Sequence, residues 1–135
     1  MLSKSQIHNA FMRVKTGDKF CMFLAELNKL GVTKWDFHTT DGANIYYGEN
    51  DYVMEMEPIY EEVDVAESPS LDLLQKVLQE HKDGLTDFHS FCENTASAGV
   101  SKWVVDLQEM VIIYFDKNNN MMLAEPITDI SHSYD

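Results

Sequence analysis

Gly31-Val32-Thr33-Lys34-Trp35 and Gly99-Val100-Ser101-Lys102-Trp103 are two copies of one short motif. They form the centre of a gapless match between residues 20–59 and 88–127, in which thirteen of the forty positions are identical. Unrelated segments of that length share only about two or three identities, so we infer an internal duplication. Each copy can therefore be compared with the other.

Each copy predicts the same order of elements, which is two amphipathic helices followed by a meander of short strands. Apolar residues recur at helical spacing in the first helix of each copy, and His81 stands at the last of these positions in the second copy, where Val14 stands in the first. We expect Asp72 and Thr86 to cap the two helices of the second copy. After Gly31 and Gly99 large and polar residues alternate, which predicts strands buried on one face.

The expected fold class is α+β, with an antiparallel sheet covered by helices. Pairing the two meanders edge to edge would hide one open edge of each, and four helices would then cover one face. We expect residues 1–135 to form a single domain of two repeats, about 3–59 and 70–127, joined by an acidic linker at 60–69. A solvated linker is the plain interpretation. Ile59, Val63 and Val65 allow the alternative of an added edge strand.

Composition narrows the possible partners. The formal net charge of −13 over 135 residues repels phosphate backbones and anionic lipids, so we expect neither nucleic acid nor membrane as a partner. No apolar stretch is long enough to cross a bilayer. Cys21 and Cys92 form no Cys-x-x-Cys pair, which is typical of reduced thiols in a cytoplasmic protein.

The two copies disagree on the inner face of the second-copy helices. His81 replaces Val14, Cys92 replaces Leu24 and Thr95 replaces Leu27, while Ala98 for Leu30 removes further volume. If the backbone is preserved, these changes predict a polar pocket that could hold a small ligand. Each residue also has a structural explanation: a histidine suits a helix C-terminus, a cysteine is a small buried hydrophobe, and a threonine can bond to its own helix.

A catalytic version of this pocket needs a carboxylate that orients the histidine beside the thiol. Asp106 is the carboxylate chosen for that role, and Asp87 and Glu109 are also available. A metal site is not expected, because His89 and Cys92 offer only two ligands and the sequence holds no second pair. We expect no cofactor. The candidate ligand-binding residues are His81, Cys92, Thr95 and Asp106.

The strands diverge on the face that is expected to point outward. Val104 and Ile112 replace Asp36 and Asn44, so the second meander is apolar on both sides near Tyr114. A surface of this kind is covered by the chain itself or by a partner. We therefore expect a homodimer through Val104, Ile112 and Tyr114.

The second copy also carries a family resemblance, in residues 81–88, Phe91-Cys92, 98–107, Tyr114-Phe115-Asp116 and Glu125-Pro126-Ile127. Together with Gly31-Val32 and Tyr46-Tyr47-Gly48, these motifs resemble a family of small uncharacterised bacterial and prophage proteins, often labelled phage envelope proteins. Asn118-Asn119-Asn120 departs from it at a turn where members tend to have glycine. The resemblance covers nearly the whole chain, and it implies no activity, cofactor or catalytic residue.

Two hypotheses about function follow from the sequence. The first is a non-enzymatic, soluble cytoplasmic protein of bacterial or prophage origin that acts by binding a protein or a small ligand. The second is a small enzyme or ligand-modifying protein that uses a pocket of histidine, cysteine and aspartate in the second repeat. They differ in the expected reactivity of Cys92, since a catalytic thiol ionises readily and a core thiol does not.

Overall fold

The computed structural model describes residues 3–13 and 20–127, without the side chains of residues 12, 13, 20 and 21. Val14 lies outside the described residues. Within them the chain forms four helices and six strands: α1 (Lys4–Arg13), α2 (Phe20–Lys29), β1 (Val32–His38), β2 (Asn44–Gly48), β3 (Val53–Met56), α3 (Leu71–Lys82), α4 (Phe88–Ser97), β4 (Lys102–Asp106), β5 (Val111–Phe115) and β6 (Met121–Pro126). The predicted α+β class is confirmed.

All six strands join one antiparallel sheet in the order β3-β2-β1-β4-β5-β6. The two meanders meet through β1 and β4, where Asp36 lies directly opposite Val104. These two residues are also aligned with each other in the sequence match. The two halves thus have the same element order and meet in a symmetric register, while the duplication itself stays a prediction.

One hydrophobic core lies between the four helices and the inward face of the sheet. Its centre is aromatic: the rings of Phe37 and Trp103 stack at 4.4 Å across the β1–β4 junction, and Trp35 stacks on Tyr46 at 5.5 Å. Phe23 of α2 and Phe88 of α4 contact this layer edge-on. Such large rings bury much apolar area, so the junction between the halves is also the centre of the core.

The N-cap residues of α3 and α4 lie one or two positions away from the predicted ones. Ser70, not Asp72, caps α3 by accepting from the backbone N–H of Leu73 at 3.2 Å. Asp87, not Thr86, caps α4 by accepting from the N–H of Ser90 at 2.8 Å. In both cases the cap lies just before the first helical residue, where the free N–H groups of the first turn are within reach.

The glycines that follow α2 and α4 have the same backbone conformation and different surroundings. Gly31 has a φ of +90° and Gly99 a φ of +97°, both in the left-handed region that favours glycine. A Cβ added to Gly31 would have no atom within 4 Å, whereas one added to Gly99 would lie 2.5 Å from the Cα of Pro69. The chain that joins the halves therefore packs directly on the second of these turns.

The segment between the halves packs along the protein by backbone hydrogen bonds and forms no strand. At its start the N–H groups of Ile59 and Tyr60 donate to the carbonyl of Asp41, at 2.9 and 3.2 Å. At its end Ala66 donates to Ala96 at 2.9 Å, and Val65 is buried. The segment is thus tied to the β1–β2 turn and to α4.

Candidate functional site

His81 lies at the end of α3, buried against α4. Its Nδ1 is 2.8 Å from the hydroxyl oxygen of Thr86, and its ring stacks on Phe91 with centroids 4.0 Å apart. It belongs to the last turn of the helix, where an imidazole also suits the negative end of the helix dipole. The imidazole is therefore held in place by packing and by a hydroxyl group.

Cys92 and Thr95 are fully buried on the inner face of α4. The Thr95 hydroxyl donates to the carbonyl of Cys92 at 3.0 Å, which is the local bond expected for a threonine within a helix. Burial raises the pKa of the Cys92 thiol well above its usual value, although a hydrogen bond with the Tyr60 side chain opposes this shift. The thiol is therefore protonated at neutral pH, and a protonated thiol is a poor nucleophile.

Asp106 is the last residue of β4, and its carboxylate accepts hydrogen bonds from the turn that follows. Its Oδ1 accepts from the backbone N–H groups of Gln108 and Glu109, at 3.0 and 2.9 Å. It also lines a shallow depression at one end of the sheet, together with Thr33 and Lys34. These two hydrogen bonds of Asp106 do not involve His81, Cys92 or Thr95. Residues 3–13 and 20–127 also contain no group of three His, Cys, Asp or Glu side chains that could hold a metal ion.

The sheet has one face that the described helices do not cover. Its outward residues are half-buried by their neighbours, and several are large and apolar: Ile45 and Tyr47 on β2, Val104 on β4, and Val111, Ile113 and Phe115 on β5. We call these six residues the open face. The sequence prediction for Ile112 and Tyr114 was wrong, because both point to the helices and are only 7% and 3% exposed. The strand alternation places Ile113 outward instead.

Two lysines lie over aromatic rings on the open face. The Lys34 ammonium is 5.0 Å from the centre of the Tyr47 ring, and that of Lys102 is 4.9 Å from the centre of Phe115. These contacts occupy equivalent positions in the two halves. They cover part of each ring with an aliphatic stem and keep the charge accessible.

Asp36 stands between these apolar residues on the central strand β1. The Tyr47 hydroxyl donates to its Oδ2 at 3.1 Å, whereas its Oδ1 is buried and has no hydrogen-bond partner among the described residues. Burial and the charge of Asp36 raise the pKa of Tyr47. The centre of the open face thus holds one carboxylate, directly opposite Val104.

A cavity of about 210 Å³ lies between α1 and the sheet of the first half. The site predicted from the sequence belongs to the second half. Trp35, Phe37 and Tyr46 form its inner wall, with Asn44 among them. Sequence reasoning missed it because it searched the second copy for lost volume. Asn44 was also predicted to lie on the outward face, whereas it is buried on the inward face, where the other copy has Ile112.

Within residues 3–13 and 20–127, no helix is long and apolar enough to cross a membrane. The fold defines a small α+β protein that has an open sheet face, with the polar residues His81 and Thr95 buried in its interior. Residues 8–126 match the model of a family described as "Protein of unknown function (DUF1398)", and the chain belongs to that family. The chain is also 25% identical over 114 residues to the uncharacterised protein YbcV of Escherichia coli strain K12, a match that covers 84% of this chain and 83% of that protein. The resemblance stated from the motifs is confirmed.

Proposed function

We propose that this protein acts by binding rather than by catalysis, and that the open face of its sheet binds a second copy of the chain. The observation that carries the proposal is the row of apolar residues on that face, Ile45, Tyr47, Val104, Val111, Ile113 and Phe115. Apolar patches of this kind on soluble proteins are commonly interaction sites. The proposal treats the chain as one domain of two repeats, 3–59 and 70–127, joined by the linker 60–69.

The alternative, an enzyme built on His81, Cys92, Thr95 and Asp106, has less support. A nucleophilic cysteine requires a nearby base and a lowered pKa. The burial of Cys92 has the opposite effect on its pKa, and the hydroxyl groups of Thr86 and Thr95 are used in local hydrogen bonds. Asp106 makes its hydrogen bonds within the β4–β5 turn. We propose a cytoplasmic setting because Cys92 is a free thiol, which suits a reducing compartment.

Charge favours a second copy as the partner. Outward positions on the two central strands carry Lys34 and Lys102 against Asp36 and Asp106, so these strands have no net charge. Glu55 on β3, opposite Ile45, adds one negative charge to the face, against −13 for the whole chain. Two acidic molecules repel each other least when they meet through a neutral surface. Charges of both signs also allow one copy to complement the other.

The area of the open face determines how tightly two copies of the chain are expected to bind. Strands about 4.8 Å apart and about five residues long, at about 3.3 Å per residue, give the six-stranded sheet a face of roughly 480 Å². Two such faces bury about 1,000 Å², which is near the lower limit for a specific interface. We therefore expect a weak dimer, with a dissociation constant on the order of 10 μM or higher.

The test is analytical ultracentrifugation of the wild type and of Val104→Lys between about 10 μM and 1 mM. The introduced lysine lies opposite Asp36, a cross-strand pair that supports the fold, while it places a charge in the interface. Leu73→Lys adds the same charge at an exposed position of α3 and is the matched control. We expect a reversible dimer for the wild type and Leu73→Lys, and a monomer for Val104→Lys. A wild type that stays monomeric throughout would refute the proposal, as would equal loss of dimer in both variants.

A further inference from the structure

The cavity beneath α1 has the size of a small ring compound. Its volume is about 210 Å³, and it is bounded by Ile7 and Phe11 of α1 on one side and by β1 and β2 on the other. An apolar cavity of about 150 Å³ is sufficient for benzene in another protein. The space beneath α1 therefore fits one six-membered ring with a short substituent.

Its inner wall is aromatic. Trp35 and Tyr46 stack with an angle of 4° between their planes, and Phe37 meets Trp35 edge-on at 5.7 Å. Aromatic walls of this geometry favour a planar ring, which can stack on a face or contact an edge. The charged residues that line the cavity, Lys4 and Glu57, are exposed at its mouth. A charged ligand would lose hydration in the apolar interior without a buried partner, so the wall favours an uncharged one.

Two polar groups in the wall can fix the orientation of a ligand. Asn44 accepts from the Trp35 indole at 3.1 Å and donates one amide hydrogen to the Gly42 carbonyl at 2.8 Å, and its amide carries a second hydrogen. Tyr46 is only 3% exposed, and its hydroxyl makes no hydrogen bond within the described part of the chain. Burial raises the pKa of Tyr46, so this hydroxyl keeps its proton and can donate it to an acceptor.

The second half shows that the fold does not need this arrangement. Ile112 occupies the position equivalent to Asn44, and it is buried. The indole N–H of Trp103, equivalent to Trp35, has no hydrogen-bond partner among the described residues. A buried amide costs stability relative to an aliphatic side chain unless it is well paired. Asn44 is paired with Trp35 and Gly42, so it is a stable polar group in the wall of the cavity, at a position where the other half has an aliphatic side chain.

We infer that the cavity beneath α1 binds a planar, uncharged molecule the size of one substituted six-membered ring, whose hydrogen-bond acceptor meets the hydroxyl of Tyr46. The site lies on the inward side of the sheet. It is therefore separate from the open face, and either proposal can fail without the other.

The experiment compares three probes by chemical-shift titration of the ¹⁵N-labelled full chain. Acetophenone has the ring and an acceptor, ethylbenzene has the same shape without the acceptor, and benzoate adds a charge. We expect acetophenone to bind with a dissociation constant on the order of 1 mM or lower, to shift residues around the cavity, and to bind more tightly than the other two probes. Tyr46→Phe should weaken acetophenone about tenfold and leave ethylbenzene unchanged, because it removes only one hydrogen bond.

Tyr114→Phe is the matched control, since Tyr114 is the equivalent tyrosine of the second half and is equally buried. It should leave the affinity for acetophenone unchanged. Unchanged ethylbenzene binding by Tyr46→Phe also shows that this variant keeps its fold. Three outcomes would overturn the inference: no shifts around the cavity at about 10 mM acetophenone, equal weakening by the two tyrosine variants, or tighter binding of benzoate than of acetophenone.

Discussion

Trp35 and Trp103 occupy equivalent positions in the two halves, and among residues 3–13 and 20–127 only Trp35 finds a side-chain acceptor for its indole N–H. Trp35 donates to Asn44 at 3.1 Å, whereas Ile112 stands at that position beside Trp103. Both rings are buried and stack with an aromatic partner. The two halves therefore share the buried, stacked ring, while the hydrogen bond to Asn44 belongs to the first half, next to the cavity beneath α1.

The largest difference between the halves is expected at the glycines after α2 and α4. Gly99→Ala should lower the free energy of unfolding by about 3 kcal/mol, because the new Cβ meets the backbone of Pro69 in addition to the strain of a positive φ. Gly31→Ala adds only the strain, about 1–2 kcal/mol, since its Cβ meets no atom. Urea denaturation measures both. Equal losses would mean that the contact with Pro69 is unimportant.

Asn44→Ile makes the first half resemble the second and should cost about 1–3 kcal/mol of unfolding free energy. The change removes the acceptor that the Trp35 indole uses, and an unsatisfied buried donor is more costly than a hydrogen bond is favourable. Ile112→Val, at the equivalent position, removes one methylene group and is expected to cost about 0.5–1.5 kcal/mol. Thermal or urea unfolding of both variants tests the comparison. A fully stable Asn44→Ile protein would contradict it.

Tyr46 and Tyr114 should make the protein sensitive to alkaline pH to the same extent in each half. Burial raises the pKa of both above the ordinary value of 10.0, so the unfolded chain loses these protons first. Their contribution is intact below pH 10 and falls as the pH rises further, by about 1.4 kcal/mol per unit for each group.

Tyr46→Phe and Tyr114→Phe should each reduce the loss of stability between pH 10 and pH 11 by about 1 kcal/mol, because a tyrosine of the unfolded chain is only half ionised at pH 10. Urea midpoints at several pH values provide the measurement. A loss that is the same in the wild type and in both variants would show that these tyrosines do not control it.

The last comparison concerns Cys92, whose counterpart in the first half is Leu24, and we expect almost no reactivity of this thiol in the folded protein. In a Cys21→Ser background, Cys92 should react with a thiol reagent only at the rate at which the protein unfolds, because the thiol is buried and its pKa is raised. Denaturant should accelerate the labelling. Rapid labelling of the folded protein near neutral pH would revive the enzyme hypothesis.

The fold followed from the sequence because its signals were local and occurred twice. Helical spacing and the change of period after Gly31 and Gly99 predicted the class and the element order. The helix caps were misplaced because Ser70 and Asp72, or Thr86 and Asp87, are equally suitable side chains. Only the backbone geometry decides which of them faces the free N–H groups.

The site was harder to predict because it depends on which face of a strand a residue occupies and on what lies beside it. Ile112 and Tyr114 were assigned to the wrong face, since the β5 sequence Val111–Phe115 is apolar at every position and its alternation is hidden. The cavity depends on the distance between α1 and the sheet, which is a tertiary property that no local pattern carries.

The register between β1 and β4 also determines how a fragment of either half would associate with a second copy of itself. A fragment with only the second half would expose β4 as an edge, and two such edges in the same register would place Val104 opposite Val104, a favourable apolar pair. Two copies of the first half would place Asp36 opposite Asp36, where like charges repel. The single aspartate therefore disfavours assembly of the first half with itself, and the intact chain satisfies both edges by folding back on itself.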